Sequence, residues 1–272
     1  HRVPVVVTTY DAICAFFGSG VSEEGDAADI SGTVTSLRVL TRKKLRKGES
    51  RIFELSYKDW NIVGGSNNLG GGLIEWLLGN IYPEYSYEDL ENLSNLLSAG
   101  TGLIFLPYLL GERAPLWDDD VRGAFLGIER FHSRDDLARA VLESTGFVLR
   151  SLIEAIEENG IQVKRIYTSG GLSRINLINQ IKADVTGKTV YKPKEIESTA
   201  LGAYILARRE LEPEFDSSKL FVIEKIYRPN EEMYKVYTNA YGLFKKAYES
   251  LRGFHSERRN LLSIKELRKV NL

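Results

Sequence analysis

The sequence predicts an α/β protein built on a mixed sheet flanked by helices. Three observations carry this expectation. Short β-like apolar runs alternate with segments of 3.6-residue periodicity, hairpin-like strands come first, and βαβα units follow. A (β/α)8 barrel would instead need about eight regular repeats. No internal repeat or low-complexity stretch interrupts the pattern.

Taken in chain order, Val3-Pro4-Val5-Val6-Val7 predicts a core strand over 3–9 that gives way to the apolar, helical Ala12 to Phe17. Strands are expected at Ser36 to Leu40 and Ile52 to Ser56, and helices at Leu69 to Leu78 and Tyr87 to Leu97. Gly70-Gly71-Gly72 lies inside the first of these helical patterns, where close helix contact explains it better than phosphate binding. Strands at Leu103 to Pro107 and Ala124 to Ile128 flank a polar loop, Gly111 to Arg122, with Pro115 and three consecutive aspartates from Asp118 to Asp120. Ser133 followed by Asp136 resembles a capping box; Leu137, Val141, Val148, Leu152 and Ile156 then recur at helical spacing until Asn159-Gly160 stops the helix. Next come a strand at Arg165 to Thr168, a helix at Ser173 to Thr186, a strand at Lys188 to Tyr191, and helices at Glu197 to Glu210 and Glu231 to Leu251. The tail after Gly253 is basic and weakly amphipathic, a solvated terminal helix or a frayed end.

Composition narrows the partners. The 272 residues are 43% hydrophobic and 27% charged, enough to bury one large or two modest cores. Lys+Arg of 36 against Asp+Glu of 37 give a net charge of -1, so there is no global electrostatic case for nucleic acid or an anionic membrane. A small-molecule partner is the expectation. Cys14 is the single cysteine, which excludes an intrachain disulfide framework and a multi-cysteine zinc site and fits a reducing cytoplasm. No apolar stretch approaches the roughly 18 residues of a membrane span. With His1 first and a core-strand pattern straight after it, the chain is expected to begin in mid-protein.

Four places carry candidate chemistry. Asp11 follows the expected strand, as a helix N-cap or as a general base at a strand's carboxyl end, where open α/β sheets place ligands. Gly32-Thr33 is a hairpin turn or a phosphate-binding loop, glycine letting backbone amides approach an anion. Gly170-Gly171 ends a strand just before a helix, as a tight turn or as an anion site. Gly111-Glu112-Arg113-Ala114-Pro115, with Trp117 and Asp118, is either a contact loop for sugar or a second lobe, or a solvated loop around one buried tryptophan. Neither a Walker loop nor a full G-x-G-x-x-G is present. His132 and His255 lack partners at ligand spacing, so no residue is assigned to metal. Ser31, Ser169 and Ser173 sit in no nucleophile elbow.

These places occur in the order of a known family. Gly123-Ala124-Phe125-Leu126-Gly127-Ile128, seven further residues, and Asp136-Leu137-Ala138-Arg139-Ala140-Val141-Leu142-Glu143 fill a signature of the FGGY carbohydrate kinases. From about residue 3 to 252 the chain resembles the C-terminal half of that family, which implies an actin-like ATPase (ribonuclease-H-like) fold. In the resemblance, Asp11 falls on the catalytic aspartate and Gly32 and Thr33 on the second phosphate loop. Gly170, Gly171 and Asn176 fall on the adenosine motif, with Gln180 and Ala183-Asp184 also familiar. Glu197 to Ala203 and Glu231 to Leu251 resemble its closing helices. Ile175 departs from a polar residue that some members place against adenine. The N-terminal lobe, with an Asp-x-Gly-Thr loop and most sugar contacts, is not in this chain.

The resemblance implies ATP and Mg²⁺ as cofactors and transfer of the γ-phosphoryl group to a sugar hydroxyl. The acceptor ranked first is a ketopentose such as xylulose, or gluconate. The implied organisation is residues 1–25 as the end of a sugar-binding lobe, 26–254 as a nucleotide-binding lobe and 255–272 as a basic tail. The expected partners are a small sugar and an N-terminal kinase lobe, in the cytoplasm, with a homodimer left open. The alternative is a non-catalytic actin-like nucleotide-binding or assembly module acting with another chain.

Overall fold

The computed structural model describes residues 4–194, 198–212 and 214–269. Nine strands among these residues, β1 to β9, run Asp26–Ser31, Thr35–Thr41, Phe53–Tyr57, Trp60–Ser66, Ile104–Leu106, Ala124–Leu126, Arg165–Ser169, Thr189–Pro193 and Ile223–Tyr227. Six α-helices among the described residues, α1 to α6, run Asp11–Gly18, Gly71–Asn80, Arg134–Glu157, Asn176–Thr186, Ser198–Leu211 and Glu231–Lys269. Seven strands form one sheet in the order β3-β4-β2-β1-β7-β8-β9, and β5 pairs with β6 separately. β1 is parallel to β7 and antiparallel to β2, so the sheet is mixed, as the order of elements predicts.

The middle of the sheet is made by an unpromising sequence. β1 reads DAADIS, with two aspartates, yet it lies between β2 and β7 and is buried almost throughout. It is stable there because each acid has a partner: Arg165 donates to Asp26 at 2.7 Å, and Lys182 pairs with Asp29. β4 carries Gly64 and Gly65 because its neighbours press in. A Cβ on Gly64 would stand 2.0 Å from the Leu37 carbonyl oxygen.

Helices cover both faces. α1 and α5 lie on one, where Phe16 and Phe17 of α1 and Leu206 of α5 pack with Ala28, Leu40 and Ile62 of the strands. They cross backbone to backbone: a Cβ on Gly18 would sit 1.8 Å from the Ser198 carbonyl oxygen, and one on Gly202 1.6 Å from that of Cys14. On the other face α3 starts at the expected capping box and buries Leu149, Leu152 and Ile156 against Leu37, Val39 and Val63. α4 and α6 pack alongside, around Phe147, Ile178, Ile181 and Phe244.

Four expectations are corrected. Residues 4–9 form no strand, and Val5 and Val7 are 91% and 92% exposed, because no described strand lies beside them to complete the ladder; Val3 lies outside the described residues. The helix expected at Tyr87 to Leu97 is instead two 3-10 segments, Asp89–Asn95 and Ser98–Thr101, with Leu90 and Leu93 buried at the i, i+3 spacing such a turn aligns. The closing helix does not stop at Leu251 but runs on to Lys269. Trp117 is 58% exposed rather than buried, its indole nitrogen donating to the Arg51 carbonyl at 2.9 Å. No described helix is long and apolar enough to cross a membrane.

Candidate functional site

β1 and β7 run in parallel, Ile30 opposite Ser169, so the turns after them open at the same edge of the sheet. That edge is where ligands enter α/β folds. The β1–β2 turn, Gly32-Thr33-Val34, is held from below by the start of α2. Gly70 donates to the Thr33 carbonyl at 2.8 Å, Gly71 to that of Gly32 at 2.7 Å, and Gly72 to Thr33 at 3.2 Å. Gly70 to Gly72 do pack closely, as expected: they buttress this turn, a Cβ on Gly71 would stand 2.9 Å from the Gly32 carbonyl oxygen, and Gly71 also lines the cleft.

The two glycines after β7 have different tasks. Gly170 has φ +83° and ψ -176°, backbone angles essentially reserved to glycine, and a Cβ there would stand 2.6 Å from the Ser31 carbonyl oxygen. A Cβ on Gly171 would meet nothing within 4 Å. Gly170 thus fits two turns together, and Gly171 faces open space. Gly32, Thr33, Gly71, Gly171 and Asn176 line a single cleft of about 740 Å³, with Glu75, Tyr87 and Arg174 along its walls. The amides of Gly32, Thr33 and Gly171 make no hydrogen bond to described residues.

Beneath the turn lies a buried polar network that sequence reasoning missed. Lys182, 1% exposed on α4, pairs with Asp29 and donates to the Ser31 hydroxyl at 3.1 Å. Ser31 donates to Asp29 at 2.9 Å, Thr35 donates to Ser31 at 3.1 Å, and the Thr35 amide donates to Asn67 at 3.0 Å. One cluster therefore ties α4, β1, β2 and the approach to α2. Its signal in the sequence was a lysine inside the apolar stripe Ile178, Ile181, Val185.

Asn176 starts α4, but the helix terminus is already occupied. Glu91 accepts hydrogen bonds from the Asn176 amide at 2.5 Å and the Leu177 amide at 3.0 Å, and the Tyr227 hydroxyl donates to the Asn176 side chain. A carboxylate of the chain satisfies the helix dipole there. Anion-binding capacity is left to the glycine turns.

Asp11 does not line this cleft. It is the exposed first residue of α1, with its carboxylate accepting from the Ala12 amide at 2.7 Å; the N-cap is Tyr10. In the 111–118 loop, Glu112 is buried and accepts from the Asn68 and Arg113 amides at 2.8 and 2.7 Å. Burial pushes its carboxyl up to about 7, against the opposing pull of those two amides.

The family model for the C-terminal domain of the FGGY family of carbohydrate kinases matches residues 28–211. A glycerol kinase of Listeria monocytogenes is 31% identical over 252 residues, 86% of this chain and 50% of that protein. The solved structures of xylulose kinase and gluconate kinase from Lactobacillus acidophilus each superpose with a TM-score of 0.82 at 26% identity, covering 90% of this chain and 51% of theirs. The chain spans about half the length of the curated relatives it matches. The architecture is the actin-like ATPase fold of these kinases.

Proposed function

Because the chain belongs to the FGGY family of carbohydrate kinases, we propose that it supplies the nucleotide-binding portion of an enzyme that transfers the γ-phosphoryl group of ATP to a hydroxyl of a sugar, polyol or sugar acid. The observation that carries this reading is the convergence of Gly32, Thr33 and Gly171, with their unengaged amides, on one cleft. Such amides stabilise phosphate charge without needing to reorient, and positioning supplies most of phosphoryl-transfer catalysis.

In this reading residues 26–254 form the nucleotide lobe, residues 1–25 end the sugar-binding lobe and residues 255–272 are a tail. Asp11 orients the acceptor hydroxyl and takes its proton. The turns at Gly32 and Gly171 hold the phosphates, with Asn176 toward the nucleoside. The described residues form no cluster of three or more metal-ligating side chains. Mg²⁺ would enter with ATP, held largely through phosphate oxygens, and would neutralise their charge there. The acceptor is a ketopentose such as xylulose, or gluconate.

The other reading is a non-catalytic actin-like nucleotide-binding or assembly module that acts with another chain. A coupled ADP-release assay with xylulose, ribulose, gluconate and glycerol separates the two. Residues 1–272 alone are expected to bind MgATP weakly and turn over no sugar, with turnover restored by an amino-terminal kinase half added in trans. Robust turnover by this chain alone would overturn the division of labour between lobes. Absence of MgATP binding would overturn the nucleotide site.

A further inference from the structure

Four arginines and lysines are buried among the described residues, and three have a carboxylate partner. Arg139 pairs with Glu143 at 2.9 Å, Lys182 with Asp29, and Lys192 with Glu224 at 3.4 Å. Arg38 is the fourth. It is 6% exposed, and no carboxylate of the described residues lies within salt-bridge distance. Its Nη1 donates to the Ser36 hydroxyl at 2.9 Å, while its Nε is buried with no partner. A buried charge without a counter-ion is costly, and an unpartnered buried polar group calls for a cause such as a functional role or a bound ion.

The sheet prepares the place. Phe53, Gly64, Arg38 and Ala28 stand in one row across β3, β4, β2 and β1. Ala28 packs with α1 residues, so the row belongs to the α1 face. Gly64 has no side chain, which leaves a path for Arg38 to reach Phe53, whose ring centre is 5.4 Å from the guanidinium carbon. Burial lowers the Arg38 pKa, and the charge of the Asp11 carboxylate acts against this. The row therefore sets the unpaired cation on the sheet face that α1 covers, and the candidate base is the first residue of α1.

We propose that Arg38 binds the carboxylate of the acceptor, which makes the substrate a sugar acid rather than a neutral ketose or polyol. This rests on the kinase reading, because it is the acceptor that approaches Asp11. A guanidinium offers a planar fork that suits a carboxylate. The hydroxyls of a neutral sugar leave its charge uncompensated.

The test uses residues 1–272 with ¹⁵N-labelled arginine, following the Nε–Hε resonance of Arg38 at constant ionic strength. D-Gluconate is expected to shift it saturably, whereas glucitol, sodium chloride and inorganic phosphate do not. Arg38→Met weakens gluconate by about tenfold or more while glucitol stays unchanged, and Arg38→Lys recovers part of the loss. Equal responses to gluconate and glucitol, a response to phosphate as strong as to gluconate, or no response to gluconate each overturn the assignment. The wild-type comparison stands even if Arg38→Met fails to fold. MgATP titrated into the same samples keeps the two readings apart: gluconate binding without MgATP binding sinks the kinase site and leaves Arg38 standing.

Discussion

The ammonium of Lys182 and the carboxylate of Asp29 meet inside the protein, 1% and 0% exposed, directly under the turn that presents Gly32 and Thr33. Removing one member of such a pair strands the other charge in a medium that cannot solvate it. Lys182→Met is expected to cost about 3–5 kcal/mol in urea unfolding, and replacing both residues by leucine to recover most of that. A loss below about 1 kcal/mol for the single variant would show that water reaches the pair.

The two adjacent glycines should separate stability from binding. Gly170→Ala is expected to lower stability by about 1–3 kcal/mol, because its backbone angles suit glycine alone and the new methyl meets the Ser31 carbonyl. Gly171→Val should leave the melting temperature nearly unchanged and weaken MgATP much more than sugar, since its side chain enters open cleft. Calorimetric titration of both ligands decides it; equal losses would mean that Gly171 serves only the turn.

Asp11→Asn preserves size and hydrogen bonding while removing the carboxylate's charge and basicity. In a polypeptide that also carries the amino-terminal half, sugar phosphorylation should fall roughly a hundredfold or more with MgATP affinity retained. Near-normal turnover in steady-state kinetics removes Asp11 from the mechanism.

Glu112 gives stability a pH dependence. Its carboxyl keeps a proton up to about pH 7 in the folded protein but releases it near 4.5 when unfolded. Its contribution is therefore complete below 4.5 and is lost as pH rises to 7, the folded state binding more protons across that window. Glu112→Gln should flatten the fall in unfolding free energy between about pH 5 and 7.5, by about 1–3 kcal/mol. An unchanged slope would assign the dependence to other groups.

What the sequence disclosed and what it hid follow from the range of the interactions involved. Helices with one apolar stripe and a local cap, such as Arg134–Glu157, are encoded within a few residues and were legible. β1 and β4 were not, because Asp26, Asp29, Gly64 and Gly65 oppose strand formation until Arg165, Lys182 and Leu37 arrive from elsewhere in the chain. The reverse error at 4–9 has the same origin: valine favours a strand, but a strand also needs a neighbour. In the cleft, the glycine turns could be read from local pattern. The hold of Glu91 on α4, across 85 residues of sequence, could not.

The crossing of α1 and α5 links two parts of the molecule that lie on different elements. Gly18 and Gly202 bring the helix backbones so close that neither position has room for a side chain. Ser198, the first residue of α5, has its hydroxyl 3.5 Å from that of Ser169, the last residue of β7 and the one that leads into Gly170. Asp11 lies at the far end of the same pair. A displacement of the β7 turn would be passed along α5 and α1 as along a lever, so that the turn at Gly170 and the Asp11 carboxylate would move as one mechanical coordinate.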